Sequence, residues 1–460
     1  MIRAFQSIAF LLAILLFGVL FGGCGGSLDQ EDADDHSPLE YYPNDASNNQ
    51  DDDIDDDSDD DVDDDTEDDD DRGLYLADSG LGGVQVMWCQ NLGTVPPESG
   101  WVWKERILGQ WEYEGDGTPQ GFVTYSGDTL YAQWGGYVEA FGSNIGFLGR
   151  LKDGQWTQWQ IDGPETVHSY SAGLVADSDG GVWTVLFAPY DNEVFPTKTN
   201  IVRWEEGQIA EVIPVFDDVS YWFNKLFIHQ DGRFAFTHLD GSFTDSLVEQ
   251  TSEGDFISIS NGVPGILKLV PDSEGVWHNL FSKTPFPILF ESAGTAQSGF
   301  QIKPIGFTPY TPSGFGSAGV AIDPDGVIYS TEEYDEPLLD YYYLIKYDGT
   351  VTTFTKWTET DRYLFGSWPI MGMNNMSQPY FIVAYDLPDE LPENRLCMLT
   401  HTDNGTSGEL ISPIDASFVS HDVACSDSNE LALIGYNSDG MNPKIMTLFY
   451  RQRDEKGNGN

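Results

Sequence analysis

Short apolar runs separated by glycine-containing turns recur along the chain. In 174–184 and in 320–330, an apolar run is followed by an Asp-x-Asp-Gly turn and then by a second apolar run. Segments 226–236 and 267–277 repeat this pattern, and 77–86 is a looser copy. Because glycine adopts the positive φ that tight turns require, each segment predicts a β-hairpin.

A second hairpin pattern follows the first one in several places, at 201–213 and 344–354, and 147–159 belongs to the same set. Two hairpins make a four-stranded unit, and the unit recurs about every fifty residues, the spacing of propeller blades. The predicted units start near Gly121, Ser171, Tyr221, Gly265, Gly316, Leu364 and Phe418. Four-stranded units at this period predict an all-β protein, a β-propeller with seven or eight blades. The first strand of each unit is expected to line the axis, so that residues on it are buried or face the channel: Ala176, His229, Leu269, Ile322 and Val423.

The two ends of this repeat leave the blade count open. Segment 72–117 reads as one further unit, whereas 418–451 shows only three strands. Either the last unit stands alone, which gives eight blades, or the two ends merge into one closing blade, which gives seven. The pattern is interpreted here as eight.

The N-terminal residues read as an export signal. An apolar run at 8–20 follows a single positive charge, Arg3, and ends in Gly22, Gly23 and Cys24. The run is short for a membrane span and has the small residues of a cleavage site. It resembles the lipobox of bacterial lipoproteins, although Phe21 stands where that family usually has leucine. The resemblance implies a cleaved signal peptide at 1–23, a lipidated Cys24 and attachment to a lipid bilayer.

An acidic segment follows Cys24. Residues 29–71 contain 24 acidic residues and no lysine or arginine, with aspartate triplets at a period of four. Such a segment has nothing to bury, so 24–72 is predicted to be a disordered tether and 73–460 the propeller domain. The aspartate spacing does not match an EF-hand calcium loop. Diffuse binding of cations is expected there rather than a structured metal site.

The remaining body is also acidic, and this restricts its partners. The formal net charge of the chain is −55, and after residue 71 there are 52 acidic residues against 20 basic ones. A surface of this sign repels phosphate backbones, so nucleic acid is excluded as a partner. The expected ligand is an unidentified protein, peptide or carbohydrate, and cations or neutral sugars are favoured over anions.

Three cysteines remain if Cys24 is lipidated. Cys397 and Cys425 lie in successive predicted units near strand-like runs, which makes them the candidate disulfide pair. The alternative, Cys89 with Cys425, would join the first unit to the last. No CxxC spacing occurs, so a zinc ribbon is not expected.

The apolar-Asp-Pro-Asp-Gly-Val-Ile-Tyr segment in 320–330 and the Leu-Ile-Lys-Tyr-Asp-Gly-Thr-Val segment in 344–354 resemble blades of NHL-type propellers. They are also similar to the gluconolactonase/SMP-30 and streptogramin-lyase propellers. That resemblance implies the fold. For activity it leaves two alternatives: a binding or scaffold module, or a hydrolase or lyase that needs carboxylates and a divalent ion such as Ca²⁺ at the axis.

Catalytic motifs are absent from the sequence: it contains no GxSxG, HExxH or Walker pattern. Of the seven histidines, only His278 and His421 stand at positions that make them weak channel candidates, and a structural role is favoured for both. We therefore expect a lipid-anchored, non-catalytic protein without a cofactor. Its expected place is the cell envelope, at the outer membrane, facing the periplasm or the exterior.

Overall fold

The computed structural model describes residues between 84 and 454. The described ranges are 84–111, 119–138, 143–161, 170–187, 197–217, 220–240, 245–259, 269–283, 286–308, 311–335, 340–359, 370–385, 394–414, 417–438 and 444–454, except 86, 90–92 and 178. The signal peptide 1–23, Cys24 and the tether 24–72 lie outside the described residues, as do His36 and His168. Among the described residues, no helix is long and apolar enough to cross a membrane.

These residues form seven antiparallel sheets, numbered here as blades in chain order. Blade 1 consists of β4 (Gln120–Ser126), β5 (Thr129–Val138), β6 (Ser143–Lys152) and β7 (Gln155–Gln160). Blade 2 consists of β8 (Tyr170–Ala176), β9 (Val182–Phe187), β10 (Thr199–Glu205) and β11 (Gln208–Phe216). Blade 3 consists of β12 (Ser220–Ile228), β13 (Phe234–Asp240), β14 (Asp245–Gln250) and β15 (Phe256–Ile259). Blade 4 consists of β16 (Val270–Pro271), β17 (Trp277–Lys283), β18 (Phe286–Thr295) and β19 (Gly299–Phe307). Blade 5 consists of β20 (Thr311–Ile322), β21 (Ile328–Asp335), β22 (Asp340–Tyr347) and β23 (Thr352–Glu359).

Blades 6 and 7 each contain strands from both ends of the chain. Blade 6 consists of β24 (Ile370–Met373), β25 (Pro379–Tyr385), β26 (Asn394–Thr402) and β27 (Gly405–Ile414), with β2 (Met87–Trp88) added outside β27. Blade 7 consists of β28 (Ser417–Cys425), β29 (Leu431–Ser438) and β30 (Lys444–Arg453), followed outward by β3 (Trp101–Trp111) and β1 (Val84–Gln85).

The first strand of each blade lies at the centre of the ring. Around the centre, β28 contacts β4, β4 contacts β8, and β8 contacts β12; on the other side β20 contacts β24, and β24 contacts β28. Buried apolar clusters fill the seams between consecutive blades. The predicted β-propeller is therefore confirmed, and the predicted starts of the units lie within a few residues of the inner strands. Of the five predicted axial positions, Leu269 and Val423 are buried and the other three are partly exposed.

The preference for eight blades was wrong, because the predicted first unit is not a blade. Its long strand β3 pairs antiparallel with β30 over ten register pairs, from Trp101 opposite Arg453 to Trp111 opposite Lys444. Blade 7 has only three strands of its own, and β3 supplies the fourth. The ring closes in this way because a three-stranded last blade would leave a long apolar edge exposed.

The Asp-x-Asp-Gly segments form the hairpin turns between the first and second strands, as predicted. In blade 5 the Asp323 carboxylate accepts hydrogen bonds from the amides of Asp325 and Val327, both at 2.9 Å. Gly326 follows at φ +80°, a conformation that side chains disfavour. Asp177 and Asp272 cap the equivalent turns of blades 2 and 4. These carboxylates stabilise turns and are already occupied by backbone amides.

The disulfide joins Cys89 to Cys397, with their Cα atoms 6.5 Å apart, and Cys425 is not in a disulfide. Both predicted pairings, Cys397 with Cys425 and Cys89 with Cys425, were therefore wrong. Cys397 lies on β26, the third strand of blade 6, whereas Cys425 ends the inner strand β28 of blade 7. The third strand of a blade lies farther from the axis than the inner strand, so the two cysteines lie at different distances from the axis although their blades are neighbours. Cys89 reaches Cys397 because the segment that carries it runs along the outer edge of blade 6.

Candidate functional site

An ion pair bridges the inner strands of blades 3 and 7. The Lys225 ammonium on β12 lies 3.6 Å from the Asp422 carboxylate on β28. In the ring, β4 and β8 lie between these two strands, so the pair spans the channel rather than one seam. Asp422 is 5% exposed, whereas the Lys225 side chain is 44% exposed and reaches solvent. The channel therefore contains one buried acid with a partly hydrated basic partner.

A β-bulge in β28 turns two consecutive side chains toward β4. The register of β28 against β29 shifts between Ser420 and Asp422, which leaves His421 as the extra residue. Nδ1 of His421 accepts a hydrogen bond from the amide of Gly121 at 2.9 Å. Oδ2 of Asp422 accepts one from the amide of Val123 at 3.0 Å. These side chains satisfy amides on the free edge of β4, where no further strand can pair.

Burial shifts the pKa values of these two groups in opposite directions. Burial lowers the pKa of His421 to about 4. Since Nδ1 is an acceptor, the neutral ring carries its proton on Nε2. Burial raises the pKa of Asp422, and Lys225 and the Val123 amide oppose that shift. The site thus combines a neutral imidazole with a buried carboxyl group whose ionised form is stabilised by Lys225 and the Val123 amide.

A glycine allows β8 to approach β12 beside Lys225. Gly173 has φ +70° and sits at a bulge in β8, at a position comparable to His421 in β28. A Cβ atom added there would lie 2.6 Å from the amide nitrogen of Leu226 and 3.2 Å from the carbonyl carbon of Lys225. The first distance is too short for any side chain, and the second is tight. Gly173 therefore sets the position of Lys225 in the ring.

His278 lies in a second cluster, on the second strand of blade 4. Its Nε2 is 3.1 Å from Asp272 and its Nδ1 is 3.2 Å from Glu291, and Glu291 also pairs with Lys303 at 2.6 Å. Burial disfavours a charge on the ring, but the hydrogen bonds to Glu291 and Asp272 raise the net pKa of His278. Both ring nitrogens face carboxylates, so only the protonated ring can donate hydrogen bonds to Asp272 and Glu291 at once. The contacts assign His278 to the packing of blade 4.

Of the two weak channel candidates, His421 lies on an inner strand and His278 does not. The remaining described histidine rings belong to packing contacts: His229 stands edge-on to Trp277, and His401 is partly buried on β26. The side chain of His238 lies outside the described residues. The sequence reasoning missed Lys225 and Asp422. Their signal was a charged residue inside a predicted inner strand, in the runs 220–228 and 417–425.

A metal at the axis would need several free oxygen or nitrogen ligands that converge. Within the described ranges, no group of three His, Cys, Asp or Glu side chains could hold a metal ion. One Asp422 oxygen faces Lys225 and the other binds the Val123 amide. Calcium takes six to eight oxygen ligands, so the described inner-strand residues do not fit such an ion.

No family model matches the chain, and no curated protein matches its sequence. Similar solved structures include the β-propeller domain of the Trilobed protease from Pyrococcus furiosus, 9% identical with a TM-score of 0.41, covering 73% of this chain and 95% of that one. The polysaccharide lyase Uly1 is 10% identical with a TM-score of 0.41, covering 75% and 92%. A gluconolactonase-family protein is 12% identical with a TM-score of 0.33, covering 72% and 98%. Such low values carry no argument about activity, and the β-propeller assignment rests on the chain's own seven sheets and their ring of inner strands.

Proposed function

We propose that this protein is a lipid-anchored β-propeller of the bacterial cell envelope that binds or scaffolds a ligand without catalysing a reaction. The anchor is Cys24, at the end of the lipobox-like run 8–24, and the polyaspartate segment 29–71 is the tether between the lipid and the propeller. Two acyl chains on one cysteine would hold the protein to a membrane far more firmly than one chain.

The engagement of the channel side chains supports binding over catalysis. His421 and Asp422 hold the free edge of β4, and Lys225 neutralises Asp422. A general acid or base needs an atom within hydrogen-bond reach of a substrate proton, and a Lewis-acid metal needs free carboxylates. Here Asp422, Lys225 and Nδ1 of His421 already bind partners within the ring. The ring centre therefore serves the fold, and the ligand binds elsewhere on the propeller.

Charge restricts the ligand that we propose. The body of the chain after residue 71 has 52 acidic and 20 basic residues, so it attracts cations and repels polyanions. A protein, a peptide or a carbohydrate of neutral or positive charge meets that condition, and nucleic acid does not. We also propose that the blades are of the NHL-type or SMP-30-like kind. This assignment rests on the blades that begin near Ser171 and Gly316, the second of which contains the hairpins 320–330 and 344–354.

Calcium-dependent stability separates a binding module from the lactonase or lyase alternative. A ligand that binds only the folded state at a hundred times its Kd raises the free energy of unfolding by about 2.7 kcal/mol. We expect thermal unfolding of the full chain to have the same midpoint in calcium, in magnesium and in EGTA. An axial metal site would instead raise the midpoint in calcium by several degrees, and Asp422→Asn would abolish the rise. That result would favour the enzyme and overturn the proposal. Asp231→Asn, at an exposed turn carboxylate of blade 3, is the matched control.

A further inference from the structure

The described residues of 84–95, called the strap here, lie along the outer edges of the last two blades. Its first strand, β1, pairs with β3 at the rim of blade 7. Its second strand, β2, then pairs with β27 at the rim of blade 6. The chain returns to blade 7 at Trp101, where β3 begins. The strap thus precedes the strand that closes the ring, and it is attached mainly to a different blade.

The strap is fixed to blade 6 at several points around Cys89. The disulfide joins it to Cys397, which is fully buried on the third strand of that blade. The Cys89 amide donates to the carbonyl oxygen of Gly408 at 3.0 Å. Three hydrogen bonds join Thr94 and Thr406. The Thr94 amide and hydroxyl donate to the Thr406 carbonyl oxygen at 2.7 and 3.2 Å, and the Thr406 amide donates to the Thr94 hydroxyl at 3.0 Å.

Two glycines permit this close contact of strap and blade. A Cβ atom added to Gly93 would lie 2.4 Å from the backbone nitrogen of Gly408, and one added to Gly408 would lie 2.8 Å from the Cys89 carbonyl oxygen. Neither distance leaves room for a side chain. The strap therefore lies directly on the backbone of β27 and is covalently attached to β26.

The closing strand β3 has no covalent attachment of this kind. It is held by its pairing with β30, by the two register pairs with β1, by its buried tryptophans and by a hydrogen bond from Trp103 to Glu409 of β27. A hydrogen-bonded strand pulled from one end detaches one residue pair at a time, and each pair contributes little net free energy. Without the strap, a pull on the N-terminal segment would act on the Trp101 end of β3 and open the ring from there.

We propose that the disulfide-linked strap is a mechanical latch that keeps tension on the N-terminal segment from reaching the closing strand β3. With the disulfide formed, a force applied before residue 84 passes from Cys89 to Cys397 and into the interior of blade 6. Once the two register pairs between β1 and β3 have separated, the described chain after Cys89, up to residue 111, carries no load. This latch goes beyond ligand binding, and it does not require the anchor at Cys24. Any hold on the chain before Val84 loads the strap in the same way.

Single-molecule force spectroscopy on the full chain tests the latch. One handle is attached through an azide-bearing residue that replaces Asp71, and the other through one that replaces the exposed Gln230 of blade 3. Reduction of the disulfide on the same molecule should produce a new low-force step, as residues 84–111 detach, of roughly 10 nm at full extension. The oxidised molecule should lack this step until the ring itself unfolds. A step at the same force in both states, or in neither state, would overturn the proposal.

Hydrogen exchange without load distinguishes a latch from a general stabiliser. Reduction should speed the exchange of strap amides such as Cys89 and Thr94, while the β3 amides that bond to β30 stay as protected as in the oxidised chain. If β3 loses its protection on reduction alone, the disulfide stabilises the fold generally and the latch is refuted. Cys425→Ser removes the only other described thiol, and it should leave both measurements unchanged.

Discussion

The Lys225 ammonium lies 3.6 Å from the Asp422 carboxylate, although two inner strands separate β12 from β28 around the ring. Asp422 is buried against the amide of Val123, and Lys225 is partly hydrated. Because an isolated buried carboxylate is costly, this contact couples blade 3 to blade 7 across the channel. It is also the place where the charge of the inner ring can be tested by substitution.

Removal of the Lys225 charge alone should lower the free energy of unfolding more than removal of the Lys225 and Asp422 charges together. Lys225→Met leaves Asp422 buried without its cation and should lower the free energy of unfolding by about 1–3 kcal/mol. Asp422→Asn keeps an acceptor for the Val123 amide, so the double variant should lose less than the sum of the two single changes. Urea unfolding of all four proteins gives the coupling energy. Additive losses would mean that the pair has no energetic role. Lys152→Met, at an exposed lysine of β6, should change the stability little.

His421 should make the protein less stable in mild acid. Burial lowers its pKa to about 4 from an unfolded value of 6.5, so between these values the unfolded chain binds more protons than the folded one. The contribution is complete above pH 6.5 and is lost as the pH falls toward about 4, by up to about 3 kcal/mol. His421→Asn retains an acceptor for the Gly121 amide and should remove this part of the pH dependence. Urea unfolding across that range measures it, and identical profiles for the two proteins would contradict the assignment.

His278 should show the opposite pH dependence. Its folded pKa is raised, after the cost of burial, by hydrogen bonds to Glu291 and Asp272. Its contribution is therefore complete below the unfolded pKa of 6.5 and is lost as the pH rises through the folded value. His278→Gln should destabilise the protein more at about pH 6 than at about pH 9. A ring titration by NMR should place His278 above His421. The reverse order would disprove both cluster assignments.

Gly173→Ala should be more damaging than an alanine at another glycine with positive φ. At Gly173 the new Cβ meets the Leu226 amide nitrogen at 2.6 Å, whereas at Gly232, φ +84°, nothing lies within 4 Å. Gly232→Ala should cost only the conformational penalty, about 1–2 kcal/mol, and Gly173→Ala should cost about 2 kcal/mol more because backbone must move. Thermal unfolding of the two variants compares them directly. Equal losses would show that β8 and β12 can separate without cost.

Cys24→Ser should release the protein from membranes. The serine cannot be acylated, so the chain should move from the detergent-soluble membrane fraction to the aqueous fraction. Fractionation followed by immunoblotting measures this, and Cys425→Ser is the control that should leave the protein with the membranes. A Cys24→Ser protein that still partitions into detergent has its anchor elsewhere.

The repeat, and with it the fold class, could be predicted from the amino-acid pattern alone. A hairpin depends on a local pattern, an apolar run, a capping aspartate and a glycine at positive φ, and all of these are visible in 174–184 and 320–330. The starts of the inner strands could be predicted to within a few residues for the same reason. The Asp323 side chain caps its turn through the amides of residues two and four positions later, and no distant part of the chain is needed.

The closure of the ring and the contents of its centre depend on contacts between distant parts of the chain. Seven blades result because β3 pairs with β30 across more than three hundred residues, and a local pattern contains no information on such pairing. The same limit explains why Cys89, at the rim of blade 6, was not matched with Cys397. It also applies to Lys225 and Asp422. Each is only an isolated charge in an apolar strand until the ring brings the two strands to opposite sides of one channel.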